Sequence, residues 1–392
     1  MGKESEMSQA SRIKALDGLR GIAIALVICY HLGGGAQSRL LIVRAVGTVN
    51  KFGWTGVILF FVLSGFLITG ILWDGMPQRG WWTDFLERRA LRIFPLYYAS
   101  LAVVAITGAL LGNLGGTLLH LWPYALYLQN LQNLTAFRPL LVINVPLHLG
   151  HFWSLAVEEQ FYLLWPWLLR LCRNRSQAKW LCLSVCLASL IYRSVLWLRI
   201  SGMALAISLP TCSGALAFGG WLALSIRGNE RKSLWRWAPT AAWITGILFI
   251  LTAAVSLSLS NPSPLLATVG IQFVIFFFGA LLILALREGL FKTIAEQRVL
   301  VWLGKISYAA YVIHVFLLGL FMRIAEGLVG QFGSRDLLLA TNFVVGTTLT
   351  LLLASLSGRY FESWFLSFKR PRDLSNTKPQ TVGQARRATT VQ

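Results

Sequence analysis

Side chains able to do chemistry are scarce in this chain, and most of them interrupt apolar runs. Arg20 and His31 lie eleven positions apart, and the residues between them are almost all apolar. On a helix they are about 20° from eclipsed, separated by a rise of roughly 16 Å. One face would then carry an arginine near one end and an imidazole deeper in. A second run reads His151-Phe-Trp-Ser154-Leu-Ala-Val-Glu158-Glu159-Gln-Phe-Tyr162. His151, Ser154, Glu158 and Tyr162 fall at helical spacing, a polar stripe on an apolar helix, while Glu159 points about 100° away, toward a basic partner if it has one. A third run places Ser307, Tyr311 and His314 at i, i+4, i+7. An imidazole takes a proton from a hydroxyl near neutral pH, and a carboxylate beside it fixes its tautomer. Two classes use such groups: a transferase with His31 as base and Glu158 as its partner, and a proton-coupled secondary transporter. A purely structural scaffold leaves the buried ionisable stripes unexplained. Ser64, in an apolar Leu-Ser-Gly string with no Gly-x-Ser-x-Gly elbow, reads as a packing residue rather than a nucleophile.

The segment from Asp84 to Pro95 holds Arg88, Arg89 and Arg92. Such a cluster anchors a membrane protein by its cytoplasmic charge. Its guanidinium forks also match phosphate oxygens, so a cytosolic ligand with a diphosphate is the sharper expectation.

The elements that must position these groups follow from composition. The 392 residues include 35 Lys+Arg against 15 Asp+Glu, a net charge of +20, yet only 13% are charged and 56% are apolar. Mean hydropathy is +0.64. Soluble domains carry about 25% charged residues, so a soluble globule is excluded, and disorder with it. A nucleic-acid partner would need a solvated basic patch, whereas these basic residues sit in short clusters between apolar runs. Runs of about 20 apolar residues place ten spans at 18–34, 53–72, 94–112, 152–171, 179–199, 206–226, 238–258, 266–287, 302–325 and 337–357. The fold class is all-α, a polytopic helical membrane bundle. A further stretch, 118–134, is interrupted by Pro123 and reads as a surface or re-entrant segment. All but eight of the 35 basic residues fall on one side of this alternation, which puts both termini in the cytoplasm. A cytoplasmic arm, 1–17, precedes the membrane domain, 18–367, and a basic, disordered tail, 368–392, follows it. No removable signal peptide is visible, and the five cysteines read as buried hydrophobes rather than disulfides or metal ligands. Counted from the cytoplasmic ends of their spans, His31, Glu158 and His314 all lie about 18–20 Å deep, so three helices are expected to converge on one polar site.

Five strings, in order along almost the whole chain, carry a family resemblance. They are Asp17-Gly-Leu-Arg20-Gly with its Arg-x10-His ending at His31, and Gly53-Trp-Thr-Gly-Val leading to Phe60-Phe-Val-Leu-Ser64-Gly-Phe. Arg89-x-x-Arg92 before Ile-Phe-Pro95-Leu-Tyr comes next, then Phe152 to Tyr162, then Leu303-Gly-Lys-Ile-Ser307-Tyr through Tyr311 to His314. On these the chain resembles the integral-membrane acyltransferase-3 family, which O-acylates extracytoplasmic carbohydrates. The resemblance implies acyl-CoA, usually acetyl-CoA, as a cytosolic donor substrate, with no tightly bound cofactor and no metal. It implies a hydroxyl of a cell-surface or exported polysaccharide or glycolipid as acceptor, and the bacterial inner membrane as location. Carried over, His31 is the catalytic imidazole, Glu158 an active-site carboxylate, and Arg20 the motif partner of His31. Arg89 and Arg92, with Arg88 and Arg20, face the donor, and Asp17, Ser154, Tyr162, Tyr311 and His314 support the site. The chain departs from its relatives at Thr211-Cys-Ser-Gly-Ala-Leu216, where many carry an Arg and an Asp, and it has no segment matching the hydrolase-like domain that some relatives append.

Overall fold

The computed structural model describes residues 2–34, 38, 40–76, 80–131, 147–199, 207–258, 265–330 and 333–368. Of the predicted tail, 368–392, all but Phe368 lies outside them. Each expected span is helical over most of its described residues. In chain order the helices are α1 (Gly2–Leu32), α2 (Leu41–Asn50), α3 (Thr55–Gly75), α4 (Trp81–Leu110), α5 (Leu114–Ala125), α6 (Trp153–Arg170), α7 (Arg175–Arg199) and α8 (Leu209–Ile226). They continue with α9 (Arg231–Ser258), α10 (Ile271–Leu286), α11 (Leu290–Ala295), α12 (Arg298–Lys305), α13 (Ser307–Phe316), α14 (Leu318–Val329) and α15 (Arg335–Leu356). Among the described residues, eight helical segments are long and apolar enough to cross a membrane. α6 has the length, but Glu158, Glu159 and Arg170 lower its apolarity. The ninth predicted span is broken: α12 and α13 meet the criterion only as a pair, bent by 68°. This is a multi-pass, all-α integral membrane bundle.

Two segments differ from a simple string of spans. α2 occupies the stretch between the first two spans and exposes Ile42, Val46 and Val49 along one side, the pattern of a helix lying in the membrane interface. α5, in the Pro-interrupted stretch, has 12 residues and reaches about 18 Å, short of the ~30 Å hydrocarbon core. Polar contacts pin that segment to α4 and α6. The Tyr97 hydroxyl donates to the Tyr124 carbonyl at 2.7 Å, Gln129 Nε2 donates to the Phe152 carbonyl at 2.8 Å, and Gln160 Nε2 donates to Asn130 Oδ1 at 2.8 Å.

Lipid tails are as apolar as leucine, so helices in a membrane associate by close packing rather than by hiding apolar surface from water. Glycine permits the closest approaches. A Cβ on Gly18 would stand 1.6 Å from the Ala295 carbonyl oxygen, and one on Gly304 would stand 1.8 Å from that of Asp17. This seam presses α1 against α11 and α12 and fixes the height of Arg20. Its counterpart joins α3 to α8, where a Cβ on Gly65 would meet the Leu216 carbonyl at 1.8 Å.

Candidate active site

Among the described residues, the predicted site residues fall into two polar clusters inside the bundle, one above the other. The first is a pocket lined by Arg20 from α1, Ser64 from α3, Arg89 and Arg92 from α4, Ser154 and Glu158 from α6, and Ser307, Tyr308 and Tyr311 from α13. Arg20 is held by Asp17 one turn earlier, at 3.1 Å. The Arg89 guanidinium lies 3.8 Å over the Tyr162 ring, donates to the Tyr162 hydroxyl and stands 3.7 Å from Glu158 Oε2. Tyr162 in turn shares a hydrogen bond with Ser64, which accounts for Ser64 without a nucleophilic role. Three arginines and one carboxylate leave this pocket positive. Arg88, one residue from Arg89 and about 100° around the helix, does not line it.

The second cluster is made of histidines. His31 occupies the last turn of α1, which ends at Gly33 and Gly34, residues that readily terminate helices. Its Nδ1 lies 3.0 Å from the Val27 carbonyl and 3.2 Å from His314 Nε2. His314 is fully buried, with Nδ1 2.6 Å from the Tyr311 carbonyl and 3.2 Å from that of Ala310. His151 joins them from a single 3-10 turn ahead of α6; its ring centre is 5.2 Å from that of His314, and its Nε2 is 3.0 Å from the Val312 carbonyl. Carbonyls only accept, so they assign the tautomers. His314 carries its proton on Nδ1 and turns a lone pair on Nε2 toward His31. His31 therefore carries its proton on Nδ1, shared between Val27 and His314, and its Nε2 keeps a lone pair with no partner among the described residues. Among the described residues no group of His, Cys, Asp and Glu is arranged to hold a metal ion.

The predicted convergence is thus half realised. His31 and His314 meet, but the third place belongs to His151, and Glu158 pairs with Arg89 rather than with His31. Counting residues misjudged the depth of His31 against Glu158 because α1 continues below the assigned edge. The α6 stripe divides accordingly. Ser154 faces upward, with Oγ 2.5 Å from the Tyr311 hydroxyl, which itself donates to the His151 carbonyl at 3.0 Å. Glu158 and Tyr162 face the arginines. Tyr311 is the wall between the clusters, lining the pocket on one side and packing against His151 and His314 on the other. The sequence reading missed Tyr308, whose hydroxyl donates to the Ile93 carbonyl at 2.5 Å beside Pro95 and closes the pocket wall; its place in the Ser307–His314 string was the available signal.

Glu159 also lies near Arg89, but its buried Oε1 has no hydrogen-bond partner among the described residues and it does not line the pocket. Glu158→Gln is accordingly expected to lower kcat/KM for the pocket's ligand about tenfold, the scale of one charge-assisted contact, and Glu159→Gln less than about threefold. Equal losses in the two variants would show that the pocket does not distinguish the carboxylates.

A model of the family described as "Acyltransferase domain" matches residues 13–359. The chain is 34% identical over 166 residues to the peptidoglycan O-acetyltransferase OatA of Listeria monocytogenes, covering 39% of this chain and 24% of that protein. It is 33% identical over 168 residues to the putative peptidoglycan O-acetyltransferase YrhL of Bacillus subtilis, covering 39% and 23%. To the O-acetyltransferase OatA of Staphylococcus aureus it is 30% identical over 189 residues, covering 46% and 28%. The alignments span about a quarter of the length of these relatives. No solved structure matches the chain.

Proposed function

The chain belongs to the acyltransferase-domain family that matches residues 13–359, and on that premise we propose that it moves an acetyl group from cytosolic acetyl-CoA to a hydroxyl of an extracytoplasmic carbohydrate. The observation that carries this reading is the pairing of the two clusters. An arginine-lined pocket suited to a diphosphate lies below a histidine whose Nε2 lone pair is left free. Arg20 and His31 mark the two ends of one helix face, roughly 16 Å apart in rise. The phosphates would rest on Arg20, Arg89 and Arg92, and the pantetheine arm, comparable in length to that rise, would carry the thioester past Tyr311 toward His31. Nε2 takes the proton of the acceptor hydroxyl as its oxygen attacks the thioester carbonyl. The tetrahedral adduct collapses with loss of the coenzyme A thiolate, which recovers the proton from the imidazolium. The same lone pair can instead attack the thioester carbonyl first, breaking the C–S bond to release coenzyme A thiolate and holding the acyl group on nitrogen until the acceptor oxygen displaces the ring and loses its proton; labelling of His31 in the absence of acceptor separates the two routes.

The basic cytoplasmic face predicted from charge supports donor entry from inside, with both termini there and the bacterial inner membrane as location. The transporter alternative drew on the same buried histidines and carboxylate; family membership gives those groups a transfer reaction instead. The decisive assay incubates the purified protein with radiolabelled acetyl-CoA and defined glycans. Label in the glycan supports the reading, and label in neither glycan nor water-released acetate overturns it.

Arg89→Lys and Arg92→Lys keep the positive charge and lose the bidentate fork. Each is expected to raise the apparent KM for acetyl-CoA about tenfold with a smaller change in kcat. If the arginines serve only to orient the chain in the membrane, the lysine variants will show wild-type KM.

A further inference from the structure

A second cavity, of about 260 Å³, opens at the other end of α1 from Arg20. Tyr30, Gly33 and Gly34 line it from the end of α1, Asn50 and Lys51 from the end of α2, and Arg335 and Asp336 from the start of α15. We propose that this cavity receives the acceptor and selects a sugar bearing a carboxylate. The proposal rests on the acyltransferase reading, since it gives the cavity the acceptor of that reaction.

Position supports it first. The Tyr30 ring packs edge-on against His31 with centroids 4.8 Å apart, and Tyr30 is itself exposed. The cavity thus comes within one aromatic ring of His31, through Tyr30 and on the side of α1 away from Arg20, so an acceptor there would approach the imidazole from the end opposite the donor. The exposed apolar side of α2 sets the cavity at the level of the membrane interface, where a surface polysaccharide can enter it.

The lining supports the substrate class. Asn50 Nδ2 donates to the Gly33 carbonyl at 2.7 Å, which fixes the amide and leaves its oxygen for a sugar hydroxyl. Only glycine permits this contact, because a Cβ on Gly33 would come 2.3 Å from that nitrogen. Tyr30 offers an aromatic face to the C–H side of a pyranose. The charges then discriminate. Asp336 is engaged, accepting from Ser38 Oγ at 2.6 Å. Lys51 and Arg335 form no ion pair among the described residues. Two cations against one occupied carboxylate give the cavity a positive balance that an anionic ring substituent would neutralise.

Titration calorimetry on the purified wild-type protein in a neutral maltoside detergent tests this, with tetragalacturonate as the acidic probe and maltotetraose as the neutral one. The acidic probe should bind about tenfold more tightly at low salt, with the preference shrinking as salt screens the exposed cations. Lys51→Gln and Arg335→Gln should each weaken tetragalacturonate about threefold to tenfold without changing maltotetraose. Both are surface substitutions, so a monodisperse elution profile suffices to confirm folding. Equal binding of the two probes, or a preference that neither variant alters, overturns the proposal. Failure of the premise looks different: protein that binds the uronate through Lys51 and Arg335 yet transfers no label from acetyl-CoA would keep the cavity and lose the acyltransferase. Protein that acetylates neutral glycans without preferring acidic ones would do the reverse.

Discussion

Replacing His31 by asparagine is expected to lower acetyl transfer by about 10²–10⁴-fold, the range supplied by a positioned general base, in a protein that inserts and purifies normally. Asparagine suits the test because of how the ring is held. Its side-chain N–H occupies roughly the place of imidazole Nδ1, so the donor to the Val27 carbonyl and His314 Nε2 survives while the Nε2 lone pair disappears. Alanine would remove both and leave the buried His314 nitrogen without a partner, a loss of about 1–3 kcal/mol that confounds stability with chemistry. Transfer measured at saturating donor, beside a thermal melt of each variant, separates the two. A His31→Asn enzyme working within tenfold of wild type would place the base elsewhere.

How much of this site could be read from the sequence follows from which distances a helix fixes. Arg20 and His31 share one uninterrupted helix, so their spacing converts directly into a common face and a rise. Arg89 and Arg92 were legible for the same reason, as neighbours one turn apart on α4. The apolar runs were legible because a bilayer demands length and apolarity from every span, and eight of the helical segments meet that demand alone. Relations between helices were not. Glu158 was matched to His31 by counting from span ends, but α1 runs on below the end assigned to the first span, and that breaks the count. His151 read as one more residue of the α6 stripe, although it sits in a separate turn whose orientation depends on Gln129 holding the Phe152 carbonyl. The outer cavity was invisible: Tyr30, Asn50, Lys51 and Arg335 come from three segments with no shared motif, joined only by folding. Helix periodicity reports what one helix does, and a pocket belongs to several.

His314 offers the sharpest test of the tautomer assignment. His314→Leu is expected to reduce kcat about a hundredfold and leave the KM for acetyl-CoA unchanged, because His314 touches His31 rather than the arginine pocket. Its Nε2 accepts from His31 Nδ1, which keeps the other ring nitrogen unprotonated and aimed at substrate, the task a carboxylate performs in hydrolytic triads. The expected loss stays below the largest triad values because the Val27 carbonyl, 3.0 Å from the same Nδ1, still holds the ring when His314 is gone. A neutral partner also fits the surroundings better than a carboxylate would. The place is fully buried beside His151 and Tyr311, and an unpaired carboxylate there would carry a large desolvation cost. A glutamine side chain supplies an amide oxygen at nearly the same reach, so His314→Gln should recover at least about tenfold of what His314→Leu loses. A packing role predicts the opposite order, with the apolar leucine tolerated in the buried site and glutamine the worse substitution. Measuring kcat and KM for the two variants therefore decides between a residue that orients His31 and one that only fills space.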